Sequence, residues 1–330
     1  MTSTPARFIL FSFLLLSFIP HHISAETKTF IKEYTYQASE DDSRNSSRTL
    51  ALREVKMLLL EELGTYLESV TEVQNFRLTK DRITALTAGI VQTEIIADKW
   101  DGDSLKYWLQ AKIVADSDEV IKSIDALRND RAKTKELEEI KRRSDELLRE
   151  NQRLRKELSV INVEQKAKEL EAYNKTISAL SAIEWYELGS VSRMYIVRPK
   201  DAIKALNEAI RLDPQFANAF YYRGLAYGNL HDYQQEIKDY NKAIELDPKY
   251  ADAYGSRGQA YAAQKKYRQA INDYNKVIEL NPQDEMAHYF RGIAYGEMGN
   301  TRQKTNDYKT AARLGFELAQ DYLKARGINW

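Results

Sequence analysis

The chain has 330 residues, 43% hydrophobic and 30% charged, enough apolar material for two or more cores. Its 49 basic residues are balanced by 49 acidic ones, which removes the electrostatic reason to expect nucleic acid as a partner. It contains no cysteine, which excludes disulfides and lipidation through a thiol.

In chain order, Arg7 precedes an apolar run, Phe8–Ile19, followed by Pro20 and an exit at Ile23-Ser24-Ala25. Basic start, apolar middle and small exit residue predict a secretory signal over residues 1–25, cleaved after Ala25. The run is shorter than the ~20 residues that span a bilayer; left uncleaved, it is an anchor. The mature chain, from Glu26, is therefore expected in the periplasm or secreted, with no stable membrane insertion after cleavage. Asn45-Ser46-Ser47 and Asn174-Lys175-Thr176 fit the N-glycosylation pattern, which matters only in a source that glycosylates.

Residues 26–130 read as a small α+β domain. Thr29–Tyr36 predicts a strand, and Asp42–Leu63 a helix with Ala51, Val55, Leu58 and Leu59 at helical spacing and Gly64 as its cap. Leu67–Leu78, rich in β-branched residues, reads as a strand, Asp81–Ala88 as a short helix, and Ile90–Ala97 and Lys106–Ala115 as two further strands. Asp101-Gly102-Asp103 does not complete a calcium loop and is better explained as a hairpin turn. Asp116 and Glu119 cap a further helix whose apolar set is Val120, Ile121, Ile124 and Leu127. The stretches ALREVKMLLLEELGTYLES and TKDRITALTAGIV resemble the N-terminal domain of flagellar assembly protein T. That resemblance implies an envelope or flagellar assembly or transport accessory in which this domain is the functional unit.

Residues 131–182 predict a long coiled-coil helix or spacer. Leu137, Ser144, Asn151 and Leu158 form one heptad column, and Ile140, Leu147, Leu154 and Ile161 the other. Such a seam over residues 137–164 either pairs two copies as a homodimer, with Asn151 fixing register, or packs antiparallel on its own chain.

Residues 183–316 repeat. YYRGLAYGNL at Tyr221–Leu230, GSRGQAYAAQ at Gly255–Gln264 and YFRGIAYGEM at Tyr289–Met298 are spaced by 34 residues. A period of that length signals a helix–turn–helix solenoid. Gly224, Gly258 and Gly292 lie three residues before Tyr227, Tyr261 and Tyr295; Tyr240, Tyr274 and Tyr308 recur in the second halves; Pro214, Pro248 and Pro282 end units. These positions closely resemble the tetratricopeptide repeat family, which implies about four paired-helix units. The first unit is irregular at SVSRMYIVRPK, and Glu236 and Lys304 stand where the family prefers alanine, so their charged ends are expected to reach solvent. Residues 317–330 predict a capping helix and tail. The fold class is thus mainly α: a small α+β domain, a coiled-coil helix and an α-solenoid.

The resemblance implies a concave groove lined by Asn218, Tyr221, Leu225, Asn229, Gln259, Ala263, Tyr289, Ile293 and Glu297, suited to a protein or peptide partner. Tyr221 and Tyr289 also fit as plain helix-face aromatics. Arg223, Arg257 and Arg291 recur with Asp239, Asp273 and Asp307, either as pairs joining two helices or as a stripe for an acidic ligand. No phosphate loop, H-E-x-x-H or G-x-S-x-G is present, and His231 and His288 fall on different units. The expectation is a scaffold, not an enzyme, with no catalytic residues, cofactor or metal.

Overall fold

The computed structural model describes residues 27–73, 90–129, 131–159, 163–190 and 197–330. Strands β1 (Thr27–Gln37), β2 (Thr93–Asp101) and β3 (Lys106–Asp116) form an antiparallel sheet in the order β1-β3-β2. Alternation dictates its faces: Tyr107, Leu109, Ala111, Ile113 and Ala115 of β3 are buried, and Phe30 and Tyr36 of β1 lie opposite Ile113 and Tyr107. The β2–β3 turn is closed by Asp101, whose carboxylate accepts from the amides of Asp103 and Ser104 and the Ser104 hydroxyl.

Helix α1 (Arg44–Val73) covers one face of the sheet with Ala51, Val55, Leu59, Leu63 and Leu67, all fully buried. It continues through Gly64, which the sequence marks as a cap. Glycine costs about 1 kcal/mol inside a helix, whereas burying Leu67 contributes about 2 kcal/mol, so the helix runs on. Residues 67–73, expected to begin a strand, are its last turns; the rest of that stretch and the helix expected at Asp81–Ala88 lie outside the described residues. The Asp116 carboxylate accepts from the amides of Asp118 and Glu119 and caps α2 (Ser117–Asn129).

The single long rod expected next is two helices, α3 (Arg131–Leu158) and α4 (Val163–Ser190). They lie antiparallel, since Glu136 meets Tyr186 while Asn151 meets Thr176. Among the described residues the heptad seam is covered within the chain: Ile140, Ser144, Asn151, Leu154 and Leu158 are buried, Leu137 and Leu147 are half-buried, and Asn151 Nδ2 donates to Thr176 Oγ1 at 2.9 Å, while Ile161 lies outside the described residues. The face that a second copy was expected to cover is therefore occupied by α4, and Asn151 finds its partner in the same molecule.

The hairpin joins two cores. Leu154, Leu158, Tyr173, Ile177 and Leu180 pack with the sheet and α1, whereas Ile140, Ile183 and Tyr186 pack with the solenoid. Asp42 ties the first junction: its buried carboxylate accepts from the Ser39 amide at 2.7 Å, from the Tyr36 hydroxyl at 3.3 Å and from the Tyr173 hydroxyl.

Beyond it, α4 and α5 (Pro199–Leu212) make the first helical pair. The irregular connection at residues 191–196 lies outside the described residues. Then come α6 (Ala217–Asn229) with α7 (Tyr233–Leu246), α8 (Ala251–Ala263) with α9 (Tyr267–Leu280), and α10 (Glu285–Glu297) with α11 (Thr301–Arg313). Helix α12 (Glu317–Lys324) covers the end with Ala319 and Leu323 over Tyr308, Ala311 and Ala312.

Candidate partner-binding groove

In the first pair Gly189 faces Leu206, and each of the three later hairpins is set by a glycine facing a tyrosine. A Cβ added to Gly224 falls 2.6 Å from the Tyr240 ring, one on Gly258 falls 2.8 Å from Tyr274, and one on Gly292 falls 2.8 Å from Tyr308. Only a bare Cα lets the second-helix ring enter this crossing. A second contact explains the two departures from the family pattern. Opposite Glu236 and Lys304 stand Gly228 and Gly296, whose added Cβ atoms fall 2.7 Å from those side chains; opposite Ala270 stands Ala262. Long residue meets glycine, and alanine meets alanine.

Glu236 does not reach water as expected. It is buried, its Oε1 accepts from the Tyr240 hydroxyl at 3.2 Å, and its Oε2 has no hydrogen-bond partner. Burial pushes its carboxyl up to about 7. Lys304 does reach along an apolar path, its ammonium 4.8 Å from the Tyr322 ring centre and 5.5 Å from that of Tyr308.

The arginine ladder is structural. Arg257 grips Asp273 with two bonds of 2.9 and 2.6 Å, and Arg223–Asp239 and Arg291–Asp307 repeat that fork. Each arginine also donates across the unit boundary, to Asn207, Asn241 and Asn275 at 2.7, 2.6 and 2.7 Å. The sequence carried a signal for that third partner, because those asparagines also recur at 34 residues.

The first helices α6, α8 and α10 bring the predicted groove residues side by side. Asn229, Gln259, Ala263 and Glu297 are exposed, while Asn218, Leu225 and Ile293 are half-buried. Asn229 Nδ2 donates to the Leu225 carbonyl at 2.9 Å, and Glu297 accepts from the Tyr267 hydroxyl at 3.2 Å. Tyr221 and Tyr289 are wedged among rings. Tyr221 lies 5.9 Å from Tyr240 and 5.0 Å from Tyr250, and Tyr289 lies 4.9 Å from Tyr308 and 4.7 Å from Phe316. Met286, 52% exposed, begins the same stripe on α10 and was missed in the sequence, although it lies one turn before Tyr289 and Phe290.

Also missed was α3, which reaches this face. Glu136 accepts from the hydroxyls of Tyr186 on α4 and Tyr222 on α6, the latter at 3.1 Å. Tyr222 belongs to the Asn218–Leu225–Asn229 stripe by helical spacing. Lys133 donates to the Tyr222 oxygen and sits 4.3 Å from its ring centre. Arg143 pairs with Asp213 and lies 4.8 Å from the Phe216 ring centre, and Ile140 is buried between these contacts. The Tyr250 hydroxyl nearby is buried with no hydrogen-bond partner among the described residues.

A separate cavity of about 170 Å³ lies between the α+β domain and α4, lined by Leu52, Val91, Ile95, Trp185 and Leu188 with Arg48, Lys56, Thr93, Glu184 and Glu187. Burial pushes the Glu184 carboxyl there up to about 8, and Lys56 pairs with Glu187. Among the described residues, no helix is long and apolar enough to cross a membrane.

Residues 200–230, 232–265 and 258–299 match the family model described as TPR repeat. No curated protein matches the chain. Among solved structures, a crystal structure of MamA is 25% identical, over 48% of this chain and 98% of that one, with a TM-score of 0.39. YrrB, described as a TPR protein with an unusual peptide-binding site, is 19% identical over 51% of this chain and 88% of its own, with a TM-score of 0.40. The first TPR of Spaghetti (RPAP3), bound to an HSP90 peptide, is 26% identical over 37% and 95%, with a TM-score of 0.35. Period, hairpin geometry and family model agree, and residues 200–299 are an array of tetratricopeptide repeats.

Proposed function

We propose that this chain is a non-enzymatic scaffold that holds a protein or peptide partner against the concave face of its repeats. The observation that carries the reading is the stripe shared by α6, α8 and α10, in which Gln259, Ala263, Met286 and Glu297 stay exposed while the arginines of the same helices are bound in structural forks. A mixed apolar and amide surface of this kind suits an extended or helical segment. The N-terminal pattern of Arg7, Phe8–Ile19 and Ala25 supports export, which makes the site of action the periplasm or the exterior.

The test is selection of peptides from a random display library by the full chain. The pair Gln259→Arg and Met286→Glu changes exposed positions only, so thermal stability is expected to stay within about 0.5 kcal/mol of wild type. Affinity for the selected peptides is expected to fall at least tenfold, which is about 1.4 kcal/mol. Unchanged affinity in that variant overturns the groove assignment.

The cavity between Leu52, Ile95 and Trp185 favours a second reading, in which the α+β domain is the working unit of an envelope or flagellar assembly accessory and the repeats brace it. In that case Trp185→Glu, and not the groove pair, abolishes partner retention by the full chain.

A further inference from the structure

The groove is not empty at its N-terminal end. Lys133, Glu136, Ile140 and Arg143 lie on one face of α3, at spacings that place them one above another. All four meet the solenoid: Glu136 between two tyrosine hydroxyls, Lys133 on the Tyr222 ring, Ile140 in the core with Ile183, Tyr186 and Phe216, and Arg143 on Asp213. The hydroxyls come from the first helices of two successive units, the helices whose stripe forms the concave face. A segment of this chain thus sits where a partner helix is expected to sit.

We propose that residues Lys133–Arg143 of α3 are an internal ligand of the groove, and that the external partner is an α-helix of the same pattern, a carboxylate followed one turn later by an aliphatic residue. The inference rests on the groove reading above and adds the partner's chemistry and its competitor. Two observations support it. The seated segment is otherwise strongly charged, with Glu138, Glu139, Lys141 and Arg142 facing water, so leaving the groove exposes only Ile140 of its large apolar residues beyond the half-covered Leu137. The tyrosine lining also continues to Tyr250, 5.0 Å from Tyr221, whose buried hydroxyl has no hydrogen-bond partner among the described residues and lies within electrostatic reach of the Glu136 carboxylate.

The probe is a labelled synthetic peptide with the sequence of residues 131–147, titrated into the full chain. Wild type, with α3 seated, is expected to bind it weakly. The Lys133→Ala/Glu136→Ala/Arg143→Ala variant frees the face while keeping Ile140 and is expected to bind it at least tenfold more tightly. Glu136→Gln keeps the shape of α3 and removes only its charge, and is expected to give a smaller gain in the same direction. A peptide with Glu136→Ala is expected to lose the gain. Equal affinity in wild type and both variants, with circular dichroism showing all three folded, overturns the proposal. If display-selected peptides still bind the groove while the α3 peptide does not, the internal ligand falls and the groove stands. If neither kind of peptide binds, both readings fall.

Discussion

Gly258 and Gly255 sit one turn apart on α8 and face opposite demands. A Cβ on Gly258 is forced into the Tyr274 ring at 2.8 Å, and that ring is itself buried, so the hairpin must open. Gly258→Ala is expected to destabilise the chain by roughly 1–3 kcal/mol, the range for overfilling a packed site. A Cβ on Gly255 finds only Val277 at 3.8 Å, an ordinary contact. Gly255→Ala is therefore expected to stabilise by up to about 1 kcal/mol through helix propensity. Thermal melts of the two variants decide the matter; shifts of the same sign remove the wedge argument. Glu236 offers a titration test. Its folded carboxyl is raised to about 7 from an ordinary value of 4.5, so the folded state holds the proton longer than the unfolded one. The stability this confers is full below about pH 4.5 and is lost as pH rises through 7. Glu236→Gln is expected to flatten that slope and to be more stable than wild type at pH 8, measured by urea midpoints at pH 5 and pH 8.

At the scale of elements, the repeats were legible because each structural need recurs. Glycine, tyrosine, arginine and aspartate return every 34 residues, so a pattern read once is confirmed twice. The Arg–Asp fork followed from that recurrence, and the asparagine that completes it, Asn241 for Arg257, recurs in the same way. The α3–α4 hairpin was not legible by the same means. A heptad states that one face is apolar, and nothing in residues 137–164 says what covers it. The cover comes from Tyr173, Thr176, Ile183 and Tyr186, further along the chain and read as part of the same rod or of the first repeat. Gly64 failed as a stop signal for a similar reason: the tertiary burial of Leu67 outweighs the local preference. The hairpin's dependence on Asp42 is testable. Asp42→Ala leaves the Tyr36 and Tyr173 hydroxyls buried without an acceptor and Arg155, 3.5 Å away, without its countercharge. At about 1–3 kcal/mol for each buried unmet group, a loss on the order of 3 kcal/mol is expected in thermal unfolding. Asp42→Asn, which keeps an acceptor, is expected to lose less.

At the scale of the molecule, α4 is the element that makes one body of two cores. A single 28-residue helix puts Tyr173, Ile177 and Leu180 into the sheet core and Ile183 and Tyr186 into the first repeat, with no turn between them. A helix cannot lose packing on one half without fraying into the other, so damage at Ile183 is expected to spread in both directions. Repeats further on behave differently, because each touches only its neighbours and their stabilities add locally. Leu323, fully buried in α12 over Tyr308 and Ala312, belongs to that far end. Ile183→Ala and Leu323→Ala each remove a similar buried volume, at roughly 2–5 kcal/mol. Amide hydrogen exchange on the full chain separates them. Ile183→Ala is expected to speed exchange in α1 and β3 as well as in α5, whereas Leu323→Ala is expected to speed it in α11 and α12 and leave the sheet untouched. Uniform acceleration along the chain in both variants contradicts the division, because it makes the solenoid and the sheet a single cooperative unit with no interior boundary.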